Sequence, residues 1–179
     1  MKIRRVVTGH TPDDKATVAS DMDIDAIELP LAPGSEFHRL WGADITPTFP
    51  DNGAPYPMST YFPPVGGFRF GLFTVPPESA VPENIDWEIA LRETEEKFPG
   101  MLAHMEPDNP GMHTTNTIDF EYVISGEVFL ELDDGETIHL QPGDTVVQNG
   151  TRHAWRNKGT EPCRMVLCMI GTHRNKPTG

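Results

Sequence analysis

The chain has 179 residues, enough to bury one self-sufficient core and short for two. Fourteen basic residues against 27 acidic ones leave a formal net charge of −13, which repels phosphate backbones and anionic bilayers and argues against nucleic acid and membrane surfaces as partners. A small molecule is the expected ligand, and with no apolar h-region after the basic N-terminus and no run near the ~18 apolar residues of a spanning helix, a cytoplasmic location is expected.

From the N-terminus, short alternating segments around Ile3 to Val7, Thr17 to Ser20, Ala26 to Leu29 and Glu36 to Trp41 read as strands separated by turn residues such as Pro12-Asp13-Asp14 and Pro33-Gly34. They form an arm or outer sheet, and adding them to a neighbour's sheet would cover an exposed edge and make a homodimer. His38, inside the last of these segments, reads as a satisfied polar group, with a place at a pocket mouth as the functional alternative. Twelve of the eighteen prolines fall between Pro47 and Pro110, so this stretch is mostly shaped loop.

Within it, Gly67 to Val75 alternates Phe68, Phe70 and Leu72 with Arg69, Gly71 and Phe73, the period of a strand whose Phe68/Phe70/Leu72 face is apolar. Arg69 is a candidate for binding a substrate carboxylate. Tyr56, Tyr61 and Phe62 either plug the core or lid a pocket. A helix is predicted from Ile85 to Phe98, capped by Asp86, with an apolar side of Ile85, Ile89, Ala90 and Leu91, and stopped by Pro99-Gly100. His104, beyond it, reads as His38 does.

After Gly111 the pattern tightens into strands at Thr117 to Ile124, Glu127 to Leu132, Thr137 to Gln141, Asp144 to Gln148, His153 to Asn157 and Cys163 to Ile170. Breaks at Ser125-Gly126, Asp133-Asp134-Gly135, Pro142-Gly143 and Asn149-Gly150 divide them, and many short strands with closely spaced turns signal an all-β barrel or jelly roll. Cys163 and Cys168 are an odd number of residues apart in one strand, so they point to opposite faces and read as unpaired hydrophobes. The chain is expected to be one domain, residues 1–179, with an arm and Pro-rich loops over 1–66 and the barrel over 67–179.

Alternate side chains of an extended segment face the same way, so His113, Thr115, Thr117 and Asp119 can all point into the barrel, and a facing strand can bring His153 to them. Two imidazoles and one carboxylate suit Fe(II), Mn(II), Zn(II) or Ni(II), with open positions for substrate or water. Glu121, two residues after Asp119, would substitute as a ligand in a bulged strand or line a substrate pocket together with Thr115, Arg69 and His38, but a solvated or salt-bridged carboxylate is the plainer expectation.

Over roughly Gly111 to Ile170 the sequence resembles the cupin superfamily. His113, Thr115, Asp119 and Gly126 take the places of the first motif's two histidines, acidic ligand and glycine; Gly143, Gly150, His153 and Asn157 fill the second, with Gln148 where proline is usual, so the motifs lie in 111–157. The turns Asp133-Asp134-Gly135-Glu136 and Gln141-Pro142-Gly143-Asp144 are similar too. The resemblance implies a double-stranded β-helix barrel, often dimeric, with one interior divalent metal held by His113, Asp119 and His153, Thr115 having replaced a ligand histidine. The first functional expectation is a metalloenzyme acting on a small organic molecule by Lewis-acid lyase, dehydratase or isomerase chemistry, and the Phe, Tyr, Trp and Pro content of the N-terminal part points to an uncharged, aromatic or polyketide-like substrate. Open beside it stand an Fe(II)-dependent dioxygenase, a metal-free pocket with His113 and His153 as acid–base groups, and a non-catalytic ligand-binding cupin.

Overall fold

The computed structural model describes residues 1–80 and 84–175. Among the described residues, eleven strands and one α-helix follow one another in the order β1 (Ile3–His10), β2 (Ala16–Ile24), β3 (Ile27–Glu28), β4 (Glu36–Ala43), β5 (Phe68–Val75), α1 (Trp87–Lys97), β6 (Thr117–Ser125), β7 (Val128–Glu131), β8 (Thr137–Leu140), β9 (Thr145–Gln148), β10 (Ala154–Arg156) and β11 (Cys163–Gly171). The predicted barrel strands are all present, β7 to β10 shorter than expected at one end or both and β6 and β11 each one residue longer. β1 and β2 pair as a separate hairpin, while an antiparallel sheet in the order β3-β4-β5-β11-β6-β9 faces a smaller one in the order β10-β7-β8. The result is an all-β jelly-roll barrel. Its large sheet takes β3 and β4 from the segment expected to be an arm, leaving only the β1–β2 hairpin outside.

The turns that divide the barrel strands are fixed by backbone geometry. Gly126 sits at φ +73°, and a side chain there would run into the Pro162 carbonyl, so the β6–β7 turn closes only with glycine. One apolar cluster, Phe73, Val123, Val128, Leu130, Leu140, Cys163 and Met165, fills the space between the sheets, and a second, Tyr61, Phe98, Met101 and Met169, lies where the helix and the Pro-rich loops meet the large sheet. Both cysteines are free, Cys163 buried in the first cluster.

The face of β5 is opposite to the one expected. Arg69, Gly71 and Phe73 are buried, whereas Phe70 is 41% exposed on the outer face, in register with Cys168, Phe120 and Val147 across the sheet. Two constraints decide it. A side chain at Gly71 would strike the His38 carbonyl of the adjacent β4, so this position must lie where the two strands crowd. Both terminal nitrogens of the Arg69 guanidinium are also supplied inside, donating to the Ala43, Phe68 and Thr60 carbonyls and pairing with Asp44, while its Nε has no partner.

Helix α1 begins at Asp86 as expected, its carboxylate accepting from the Ile89 amide at 3.2 Å. Its packed side differs from the expected one: Ala90 and Thr94 are buried and Ile89 is 43% exposed. Because β5 buries Phe73 and exposes Phe70, Phe73→Ala is expected to cost about 3–5 kcal/mol in urea denaturation. Phe70→Ala should cost less than half of that; equal costs would return Phe70 to the interior.

Candidate functional site

β6 is hydrogen-bonded to β11 on one edge and β9 on the other, so its alternation is fixed: Thr117, Asp119, Glu121 and Val123 face inward and Ile118, Phe120 and Tyr122 outward. The inward acids open into a cavity of about 730 Å³ between the sheets. Its wall is largely apolar, built by Phe62, Phe73, Trp155, Leu167 and Met169, and roofed by Trp87 and Leu91 of α1.

His113 and His153 enter from two segments just outside the strands. Their backbones bridge each other, each amide donating to the other's carbonyl at 2.9 and 3.0 Å, and this holds the imidazole centroids 4.1 Å apart. Each Nδ1 lies against a backbone carbonyl two residues upstream, Gly111 for His113 at 3.0 Å and Thr151 for His153 at 2.9 Å. A carbonyl only accepts, so Nδ1 carries the proton and each Nε2 keeps a free lone pair. Burial lowers both pKa values, that of His153 to about 4 with the neighbouring His113 adding to the effect, so both rings are neutral at pH 7.

The two carboxyls shift the other way. Burial raises Asp119 to about 6, partly offset by the Thr117 hydroxyl, and burial together with the adjacent Asp119 raises Glu121 well above the ordinary carboxylate range. Asp119 Oδ1 and Glu121 Oε2 are buried and have no hydrogen-bond partner. Glu121 is therefore neither solvated nor salt-bridged, contrary to expectation, and no bulge is needed to aim it inward because the β6–β9 register is continuous there. Glu106, at the rim, is held down by a two-pronged bond to Arg152 at 2.6 and 2.7 Å, which lowers its pKa.

The other candidates lie elsewhere. Thr115 is fully buried, its hydroxyl accepting from Thr117 at 2.8 Å, and it does not line the cavity. Arg69 is consumed by its Asp44 pair and backbone carbonyls, so it is not a substrate-carboxylate binder. His38 is also absent from the cavity wall, because its Nε2 bonds the Met1 carbonyl at 2.7 Å on another side of β4. His104 is tied to the Thr114 carbonyl at 2.9 Å. Asn157 holds a turn, donating to the Val75 and Glu161 carbonyls.

Among the described residues, no three His, Cys, Asp or Glu side chains are grouped so as to hold a metal ion. The imidazoles come together as a pair and the carboxyls as another, but His113, Asp119 and His153 do not form the expected three-ligand set. The place of the remaining ligand histidine, position 115, is taken by a buried threonine bonded to Thr117. The donors present therefore do not fit the family's resident metal.

Sequence reasoning missed Trp87, Leu91, Met101, Met105 and Glu106 as cavity residues. The Trp87–Leu91 pair, four apart on the helix, carried a usable signal. Tyr61 and Phe62 line the cavity, Tyr61 with its hydroxyl pKa raised by burial.

Residues 101–170 match a family model described as a cupin domain. The chain is 51% identical over 60 residues to phomopsin biosynthesis cluster protein C' of Diaporthe leptostromiformis, covering 33% of this chain and 32% of that protein. It is 34% identical over 93 residues to the cupin-domain-containing oxidoreductase srdB of Neurospora crassa, covering 49% and 47%. The chain thus matches 32% and 47% of the length of these relatives, less than half of either. Among solved structures it is similar to the Schizosaccharomyces pombe Cnp3 cupin domain, at 10% identity, 96% and 89% coverage and a TM-score of 0.49. No helix among the described residues is long and apolar enough to cross a membrane.

The shifted acids give a signed pH dependence. Asp119 folded, at about 6, holds a proton that the unfolded chain releases near its ordinary 3.8, so its contribution to stability falls as pH rises through that window. His153 runs the opposite way, costing stability as pH drops from 6.5 to about 4. Asp119→Asn is therefore expected to gain about 3 kcal/mol over the wild type between pH 3.5 and 7 in urea titrations. A pH-independent difference would sink this assignment.

Proposed function

The chain belongs to the cupin superfamily, and from that premise we propose that it is an enzyme moving protons on a small organic molecule in a dehydration, elimination or isomerisation. One observation carries this reading. A single apolar cavity holds a pair of neutral imidazoles with free Nε2 lone pairs and a buried carboxyl pair whose oxygens have no partner. Burial pushes the two kinds of group in opposite senses, leaving an acceptor and a donor on the wall of one cavity at the same pH.

In the dehydration form, the His113–His153 pair takes a proton from the carbon next to a substrate carbonyl. Glu121 gives its proton to the departing hydroxyl, which leaves as water, and the proton on the imidazole then returns to Glu121. Asp119 keeps Glu121 protonated by its own negative charge. The apolar wall excludes bulk water, which strengthens these transfers. No step runs through a metal, in keeping with the donor arrangement.

The relatives' names support an enzyme acting on a biosynthetic intermediate, and the word oxidoreductase in one of them favours a second reading in which the same cavity hosts a redox step. Proton NMR in D2O with a panel of aryl β-hydroxyketones separates the two. Deuterium entry beside the carbonyl and loss of water, continuing under argon and with a chelator, are expected of the wild type. Glu121→Gln should slow it by about 10²–10⁴ with KM little changed. Turnover that stops under argon, or that needs an added metal ion, would replace the acid–base reading with the redox or Lewis-acid one.

A further inference from the structure

We infer that the cavity selects an electroneutral substrate, one presenting a carbonyl or amide oxygen to the carboxyl pair, and rejects carboxylates and phosphates of the same skeleton. The inference rests on reading this cavity as the substrate site, and it adds the charge class of what enters.

The argument begins with what lines the wall. Among the described residues, neither lysine nor arginine contributes to it, and its ionisable members are His113, His153, Asp119, Glu121, Glu106 and Tyr61. The nearest cations are already engaged. Arg152 grips Glu106 and Asp133, and Arg156 binds Glu131, Asn109 and the Pro110 carbonyl. Arg39 and Arg69 line a separate recess that shares Phe37, Tyr61, Leu167 and Met169 with the cavity, so those four side chains form the partition. An anion brought inside would meet no lysine or arginine on the wall and would face the Asp119 carboxylate, with Glu106 at the rim.

A neutral carbonyl meets the opposite situation. Glu121 Oε2 and Asp119 Oδ1 are buried polar atoms without a partner, and a protonated carboxyl needs an acceptor. The carbonyl supplies it, and the aromatic and aliphatic wall takes the rest of the molecule. The volume of about 730 Å³ lies within the range that encloses a drug-sized ligand.

The test uses three ligands of one skeleton: 3-phenylpropanamide, 3-phenylpropanoate and 3-phenylpropylammonium. Binding to the full chain is followed by calorimetry at pH 7.5 and by the fluorescence of Trp87 and Trp155, which line the cavity. The amide is expected to bind at least ~30-fold more tightly than the carboxylate and more tightly than the ammonium ion. Equal or tighter binding of the carboxylate overturns the inference, tighter binding of the ammonium replaces it with a cation site, and failure of all three at millimolar concentration overturns it as well.

The Asp119→Asn/Glu121→Gln double variant keeps the shape of the wall and removes its negative charge. Carboxylate affinity should rise at least ~5-fold, and its ratio to amide affinity should rise with it. An unchanged carboxylate affinity in a folded double variant would mean that the pair is not what repels it. Because these experiments read binding alone, they stand apart from the proton-transfer assay: a cavity that discriminates charge but never exchanges deuterium keeps this inference and loses the acid–base mechanism.

Discussion

Strand β6 is held along both edges, and that double pairing is what makes the site. With β11 on one side and β9 on the other, a one-residue slip would turn Asp119 and Glu121 out to solvent and bring Phe120 and Tyr122 in. Hydrophobicity alone would favour such a slip, since the outward side chains are the more apolar set. The register survives because Val123, on the same face as the acids, packs with Phe73, Val128 and Met165 at the heart of the barrel, and because the β6–β7 turn at Gly126 sets the phase. Burying two carboxyls is then the consequence of a well-determined strand, offset by the core around it.

Desolvation sorts the ionisable groups of the cavity into two states. It keeps the imidazoles neutral by penalising their cations and keeps Glu121 neutral by penalising its anion, so a site with several ionisable side chains carries little charge at pH 7. The charge that remains is on Asp119, and at the rim on Glu106, where Arg152 balances it. An apolar wall and unpartnered polar atoms are the two halves of one arrangement: the wall raises the value of every hydrogen bond that a substrate can make.

Much of the barrel was legible in the sequence because turn residues bracket its strands. Gly126, Pro142-Gly143 and Asn149-Gly150 each fall between two strands, and Asp86 opens the helix. The His113/His153 pairing and the inward aim of Asp119 also follow from alternation and motif spacing. The face of β5 was not legible, because both faces carry large apolar residues and the deciding facts, the His38 carbonyl beside Gly71 and the carbonyls around Arg69, come from other segments. Glu121 lines the cavity as one of its two expected roles had it, and the plainer expectation failed for a related reason. A carboxylate in an acidic chain is ordinarily solvated, and only the three-dimensional closure of the wall removes its partners.

The bond between the His113 and His153 segments is made of backbone atoms only. Side chains at these two positions can therefore change without cutting the strut that sets their separation, just as threonine at position 115 closes on Thr117 without disturbing the frame. The barrel separates its scaffold from its reagents. Descendants of such a chain can exchange one reactive group for another, a step at a time, and remain folded through each intermediate.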